Sequence, residues 1–299
     1  LIAFTDGVVA GATEQITVNT AITGAAVLPA AVETFVLGNF TNSVTLGGAA
    51  QNVTGGSGAD TISVAGLTAT GKLSMGTTDL LVMATGADIS AVINSADAAG
   101  GVQTITSATI VGAVTMTEAQ HDGLVAVGTD AILGAGGADQ ITIAAGAIAT
   151  IAADANIETY VIGEDTNNAL TVSNVGNAQN VTSASTTDVV TVELLTGTYT
   201  GTIDVATTAS VLSLVDGAVL NGTIDALMTN LTLANNASVT MPSANLIAFT
   251  DGVVAAATEQ ITLNTAITGA AVLPAAVETF VLAAGANSVT TGAAQTVTA

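Results

Sequence analysis

A chain that carries a long stretch of itself twice, almost letter for letter, must adopt a fold in which copies follow one another. Residues 1–37 return at 246–282, an offset of 246 − 1 = 245, with differences only at Gly11 against Ala256 and Val18 against Leu263. Self-similarity on this scale is the mark of repeat architectures, in which one unit buries its apolar face only against the next. A fainter period halves the unit. The segment beginning Val32-Glu33-Thr34-Phe35 is matched by Ile157-Glu158-Thr159-Tyr160, an offset of 157 − 32 = 125, and each runs on to a Gln-Asn-Val-Thr tetrad, at Gln51 and Gln179. The organisation expected is a first half-repeat over 1–122, a second over 123–245, and the start of the next copy over 246–299.

Beneath these periods runs a shorter rhythm. Stretches of three to five residues alternate apolar with Thr or Ser, as in Ser43-Val44-Thr45-Leu46, Thr61-Ile62-Ser63-Val64 and Asn230-Leu231-Thr232-Leu233, and Gly, Ala, Asn and Asp separate them. Period-two alternation that recurs at intervals of about 8 to about 12 residues predicts short strands with tight turns, while helical periodicity is weak. The fold class expected is all-β. Strands this short suit a β-solenoid, a β-roll or β-helix-like stack with coils of about 20 residues; tandem β-sandwich domains are the alternative. Composition favours the thin-cored solenoid, because aromatics are 2% of the chain, Trp is absent, and Ala, Val, Ile and Leu supply the apolar mass.

Charge excludes several classes of partner. Lys72 is the only Lys or Arg against 23 Asp and Glu, giving a formal net charge of -22. Nucleic acid and anionic membrane surfaces need cationic side chains, so neither is an expected partner. No apolar run approaches the roughly 20 residues of a membrane-spanning helix, and membrane insertion is not expected. With no cysteine, thiol chemistry and disulfides are impossible. A chain with one trypsin-type cleavage point suits life outside the cell. No signal-peptide pattern opens the sequence; an export signal is expected either ahead of this stretch or, as a C-terminal signal, beyond Ala299.

One motif stands out. Gly55-Gly56-Ser57-Gly58-Ala59-Asp60-Thr61-Ile62-Ser63 fits the nonapeptide G-G-x-G-x-D-x-U-x, and Gly134 to Thr142 is a degraded second version containing Gly137 and Asp139. Here the chain resembles the large repeats-in-toxin-type adhesins and surface-layer proteins of Gram-negative bacteria. The resemblance implies a parallel β-roll bridged by Ca2+, with Gly56, Gly58, Asp60, Gly137 and Asp139 as candidate metal-site residues, and secretion by a C-terminal signal. Neither nonapeptide has an adjacent partner, and the half-repeat counterparts, Ala184 to Asp188 and Gly11 to Glu14, have lost most of the glycines. Electrostatics supplies a separate reason for a cation, since carboxylates on coils about 4.8 Å apart repel by about 0.9 kcal/mol in water.

Material for catalysis is poor, and the chain is not expected to be an enzyme. His121 beside Asp122 reads as a surface residue in a turn, and Glu164-Asp165 is an acidic pair without aromatic platforms to stack a sugar. Asn52-Val53-Thr54 and Asn230-Leu231-Thr232 match the glycosylation triplet, although stacked asparagines at coil corners would instead form hydrogen-bonded ladders. Glycan contact is conceivable but has no motif behind it. The function expected is that of an extracellular structural repeat that self-associates into a surface layer, sheath or filament. The extender of a calcium-dependent adhesin is the alternative. Ice binding through Thr115-Met116-Thr117 and Thr296-Val297-Thr298 stands as a third reading.

Overall fold

The computed structural model describes residues 14–94, 107–125, 131–144, 150–163, 169–183, 186–187, 189–249, 252–256 and 258–299. It divides into two compact units, Leu1–Gly146 and Ala147–Ala299. The units are described one by one. The 146/147 division is a property of the packing, whereas 122/123 and 245/246 are sequence periods.

In the first unit, one sheet stacks Gln15–Thr17, Thr34–Val36, Asn52–Thr54, Lys72–Ser74 and Ile93–Asn94. A second stacks Ala26–Val27, Ser43–Thr45, Thr61–Val64, Leu80–Ala84, Ala108–Val111 and Ile132–Gly134. Ala113–Thr117 pairs with Gln140–Ala144 beside them. Neighbours in each sheet come from successive coils, and every pairing is parallel: Gln15 lies beside Thr34, and Ser43 beside Thr61. The unit is a β-solenoid. Its coils lengthen toward the end of the unit, where one runs from Leu81 to its partner Ala108 and another from Ala113 to its partner Gln140.

The second unit is built the same way. One sheet stacks Thr150–Ala152, Ala169–Val175, Val189–Leu194, Val211–Leu214, Asn230–Leu233 and Gly252–Val254. Another holds Gly197–Tyr199, Ala218–Leu220, Ser238–Met241, Gln260–Leu263, Thr279–Val281 and Thr296–Thr298, and a third holds Thr159–Ile162, Asn180–Ser183, Thr202–Asp204 and Thr223–Ile224.

The alternation read in the sequence is the in-and-out pattern of these strands. Apolar positions fall in register from coil to coil. Ala26, Val44, Ile62, Leu81, Ala108 and Ile132 form one such column, and all six are buried. Three of the few aromatics recur at one buried position of the repeat. Phe35, Tyr160 and Phe280 are fully buried at one position of three half-repeats, since 160 − 35 = 125 and 280 − 35 = 245. Tyr160 is kept there by its hydroxyl, which accepts the Asp154 N–H at 2.7 Å, and Tyr199 donates to the Gln179 carbonyl at 2.8 Å.

Helices are the feature the sequence pattern hid. Glu118–Val125 and Ser243–Ala248 are α-helical. The first is started by a capping box: Thr117 Oγ1 accepts the Gln120 N–H at 3.2 Å, and Gln120 Oε1 accepts the Thr117 N–H at 2.8 Å. Reciprocal bonds of this kind satisfy two of the amide groups that every helix start leaves open.

Candidate functional site: the coil corners

The chemistry-bearing side chains gather at the corners between strands, where each does for the coil below what a ladder carbonyl does inside a sheet. In the first unit, Asn42 Oδ1 accepts the Ile22 N–H at 3.1 Å, Asp60 Oδ1 accepts the Asn42 N–H at 3.0 Å, and Asp79 Oδ1 accepts the Asp60 N–H at 2.9 Å. Successive coils are thereby joined through side chains, and Asn42, Asp60 and Asp79 are all buried. The device returns in the next copy, where Asn287 Oδ1 accepts the Ile267 N–H at 2.9 Å.

Asp60, the acidic residue of the glycine-rich motif, uses both carboxylate oxygens on protein donors. Oδ1 also takes the Asn42 amide at 2.7 Å, and Oδ2 takes the Gly56 N–H at 2.9 Å. The motif glycines have a steric task. A Cβ on Gly56 would strike the Gly38 carbonyl oxygen, and one on Gly58 would strike that of Phe40, so both are required by the close approach of the coil beneath. In the second motif, Gly137 adopts φ +122, a left-handed conformation open to glycine, and Asp139 Oδ1 accepts the Gly112 N–H at 2.7 Å.

The oxygens nearest Gly55 accept from the protein's own N–H groups. Around the point a Gly55 Cβ would occupy, Asp79 Oδ2 lies at 2.7 Å, Asp60 Oδ2 at 2.9 Å and the Ser74 carbonyl oxygen at 3.5 Å. Asp60 Oδ2 accepts the Gly56 N–H, and the Ser74 carbonyl accepts the Gly55 N–H. Asp79 Oδ2 also has the Gly76 N–H at 2.6 Å. Among the described residues, no group of three or more His, Cys, Asp or Glu is placed to hold a metal. Coil stacking accounts for the geometry of Gly56, Gly58 and Asp60.

Stacked carboxylates are instead managed by backbone N–H groups. Glu33 accepts the Glu14 N–H at 3.0 Å, and Glu278 accepts the Glu259 N–H at 3.1 Å at the equivalent place in the second copy. The Glu14 N–H, with that of Glu33 itself, holds the Glu33 carboxyl below the usual range. Asp79 is shifted the other way: burial raises its pKa, the Asp60 and Gly76 N–H groups oppose the rise, and the facing Asp60 charge adds to it.

A glutamine clamp, absent from the sequence-based expectations, completes the corners. Gln51 Oε1 accepts the Gly47 and Gly48 N–H groups, while its amide donates to the Pro29 and Val32 carbonyls of the coil below at 2.8 and 3.1 Å. Gln179 repeats this with the Gly176 N–H and the Asp154 and Ile157 carbonyls, and Gln295 with the Gly292 N–H and the Pro274 and Val277 carbonyls. The neighbouring asparagine points to the following coil: Asn52 Oδ1 takes the Lys72 N–H, and Asn180 Oδ1 takes the Thr202 N–H, both at 2.9 Å. The recurrent Gln-Asn-Val-Thr tetrad was the available signal. Its glutamine holds the coil before it and its asparagine the coil after.

His121 corrects the sequence reading. The helix turns it inward and it is fully buried, as is Glu118. Burial disfavours the imidazolium and pushes the His121 pKa down to about 4. Between pH 6.5 and about 4 the unfolded chain therefore takes up a proton that the folded chain refuses. The associated stability is complete above about pH 6.5 and is lost as pH falls toward 4, by on the order of 3 kcal/mol in full. Urea midpoints at pH 7 and pH 5 should accordingly fall further for the wild type than for His121→Gln; parallel falls would show that His121 is not the group responsible.

Of the remaining candidates, Thr115 and Thr117 are half-buried and paired with Thr142 and Ala144, while Thr296 and Thr298 are exposed. Glu164-Asp165 lies outside the described residues. No described helix is long and apolar enough to cross a membrane. No protein-family model matches this chain, and comparison with curated proteins and with solved structures gives no match.

Proposed function

We propose that this chain is a structural repeat of an extracellular assembly, a surface layer, sheath or filament, and that it acts without catalysis. The observation that carries the reading is what the duplication preserves. The Asn42 and Asn287 corners, the Glu33 and Glu278 acceptors, and the Gln51 and Gln295 clamps are pairs of the same scaffold device in consecutive copies. A unit whose repeated groups all serve to fasten one coil to the next gains length by being copied. The acidic surface keeps so apolar a chain, with a mean hydropathy of +0.69, dispersed until it meets an ordered neighbour. A single Lys suits exposure to proteases outside the cell.

Negative-stain microscopy of the purified protein, with and without addition of concentrated salt to screen its charge, tests the reading. Ordered sheets or fibres are expected. Isolated strings at all protein and salt concentrations would replace it with the adhesin-extender reading, in which the repeat is only a spacer.

A further inference from the structure

An apolar groove of about 750 Å3 opens in the second unit, where one 245-residue copy gives way to the next. Its walls come from the helix Ser243–Ala248 and its exit (Leu246, Ile247, Phe249), from Val253, and from the segment around Val272 and Leu273. The groove coincides with a break in the parallel stack. The sheet that begins on Thr150–Ala152 ends on Gly252–Val254, and a separate two-strand sheet begins on Ala271–Val272. The strands Gln260–Leu263 and Thr279–Val281 of these same coils remain paired. Among the described residues no ladder joins Gly252–Val254 to Ala271–Val272, and residues of both strands line the groove. Their side chains stand out from it: Val272 is 71% exposed, Val254 64% and Ile247 50%. Open strand edges beside exposed valines are what β-strand addition uses, and a soluble chain ordinarily blunts them with charge. None of the described lining residues is charged.

We propose that the groove is a docking site for a second copy of this chain. The inference rests on the assembly reading above and names its contact surface. Two features select a like copy as the occupant. The first is charge: molecules of net charge -22 repel over most of their surface, and described lining residues that carry no charge mark where two of them approach at least cost. The second is period. Every lining residue has an identical counterpart 245 positions earlier, Ile2 for Ile247, Val27 for Val272 and Gly47 for Gly292 among them, so the groove sequence is set out once per unit. Val27 is itself 56% exposed. A lining sequence set out once per unit gives a like copy more than one such contact, and each added contact forms at high effective concentration.

Sedimentation velocity over a concentration series, at an ionic strength near 0.15 M, tests this with the whole chain. The wild type is expected to self-associate, and Ile247→Asp combined with Val272→Asp is expected to need at least a tenfold higher concentration. Leu227→Asp, at an exposed position outside the groove, should behave as the wild type. Circular dichroism checks that each variant is folded. Should the double aspartate variant misfold, Val272→Thr keeps the shape and strand propensity of the side chain and must still weaken association. Equal association of the wild type and a folded groove variant would overturn the groove assignment while leaving the assembly reading in place. A wild type that stays monodisperse throughout would overturn both.

Discussion

Gly71→Ala is expected to destabilise the coils on either side of it by about 3 kcal/mol or more, although it adds a single methyl group. The Cβ of an alanine there would lie against the Gln51 carbonyl oxygen and carbon of the coil beneath, and close to the Ala50 carbonyl carbon. Backbone of a stacked coil cannot swing aside as a flexible side chain does, so the methyl must separate two coils or distort both. Overpacking in a fitted interior ordinarily costs about 1–3 kcal/mol, and a backbone obstacle puts this case at or beyond the upper end. Gly24→Ala is the internal control. Nothing lies within 4 Å of its Cβ position, and the exchange should be neutral or stabilising by up to about 1 kcal/mol through the unfolded chain. Stacked coils need not unfold all together, so amide hydrogen exchange around Gln51 and Gly71 is the suitable measure. Equal protection in the wild type and Gly71→Ala would mean that the coils stand further apart than described.

Phe35→Ala should have an effect of similar or larger size by the opposite route. Phe35 is fully buried in the column that runs from Ile16 through Val53 to Leu73, and its removal leaves a hole that neighbours pinned by ladder hydrogen bonds cannot fill. The expected cost is about 3–5 kcal/mol. Phe40, in the turn that follows and 43% exposed, should lose well under half of that on the same truncation. Guanidinium denaturation of the two variants in parallel separates them. Comparable losses would imply that Phe35 is no more tightly packed than Phe40.

Much of the architecture was legible because in a parallel stack a local pattern is also the tertiary pattern. When Val44 lies beside Ile62 and Ile62 beside Leu81, the alternation that aims one strand inward aims its neighbours as well. The solenoid and its short coil follow from that. The glycine-rich stretch was legible as a tight, coil-crossing segment. Its partners were not, since only the folded chain reveals that Gly56 and Gly58 face the Gly38 and Phe40 carbonyls, or that Asp60 spends its oxygens on Asn42 and Gly56. The helix at Glu118–Val125 escaped notice because an eight-residue helix in a chain of small side chains has almost no apolar face to display. The Thr117-Glu118-Ala119-Gln120 box was its one local sign, and with it the burial of His121.

By itself, the sequence determined the duplicated unit, the all-β class and the acidic balance of charge, because periodicity and composition act along the chain and need no knowledge of distant contacts. Only the tertiary structure decided which side chains close the coil corners, that the imidazole is inside, and where the stack breaks to leave an apolar groove. Each of those depends on which atoms of one coil fall opposite which atoms of the next. That registration is set by the sum of many contacts, and no single residue carries it.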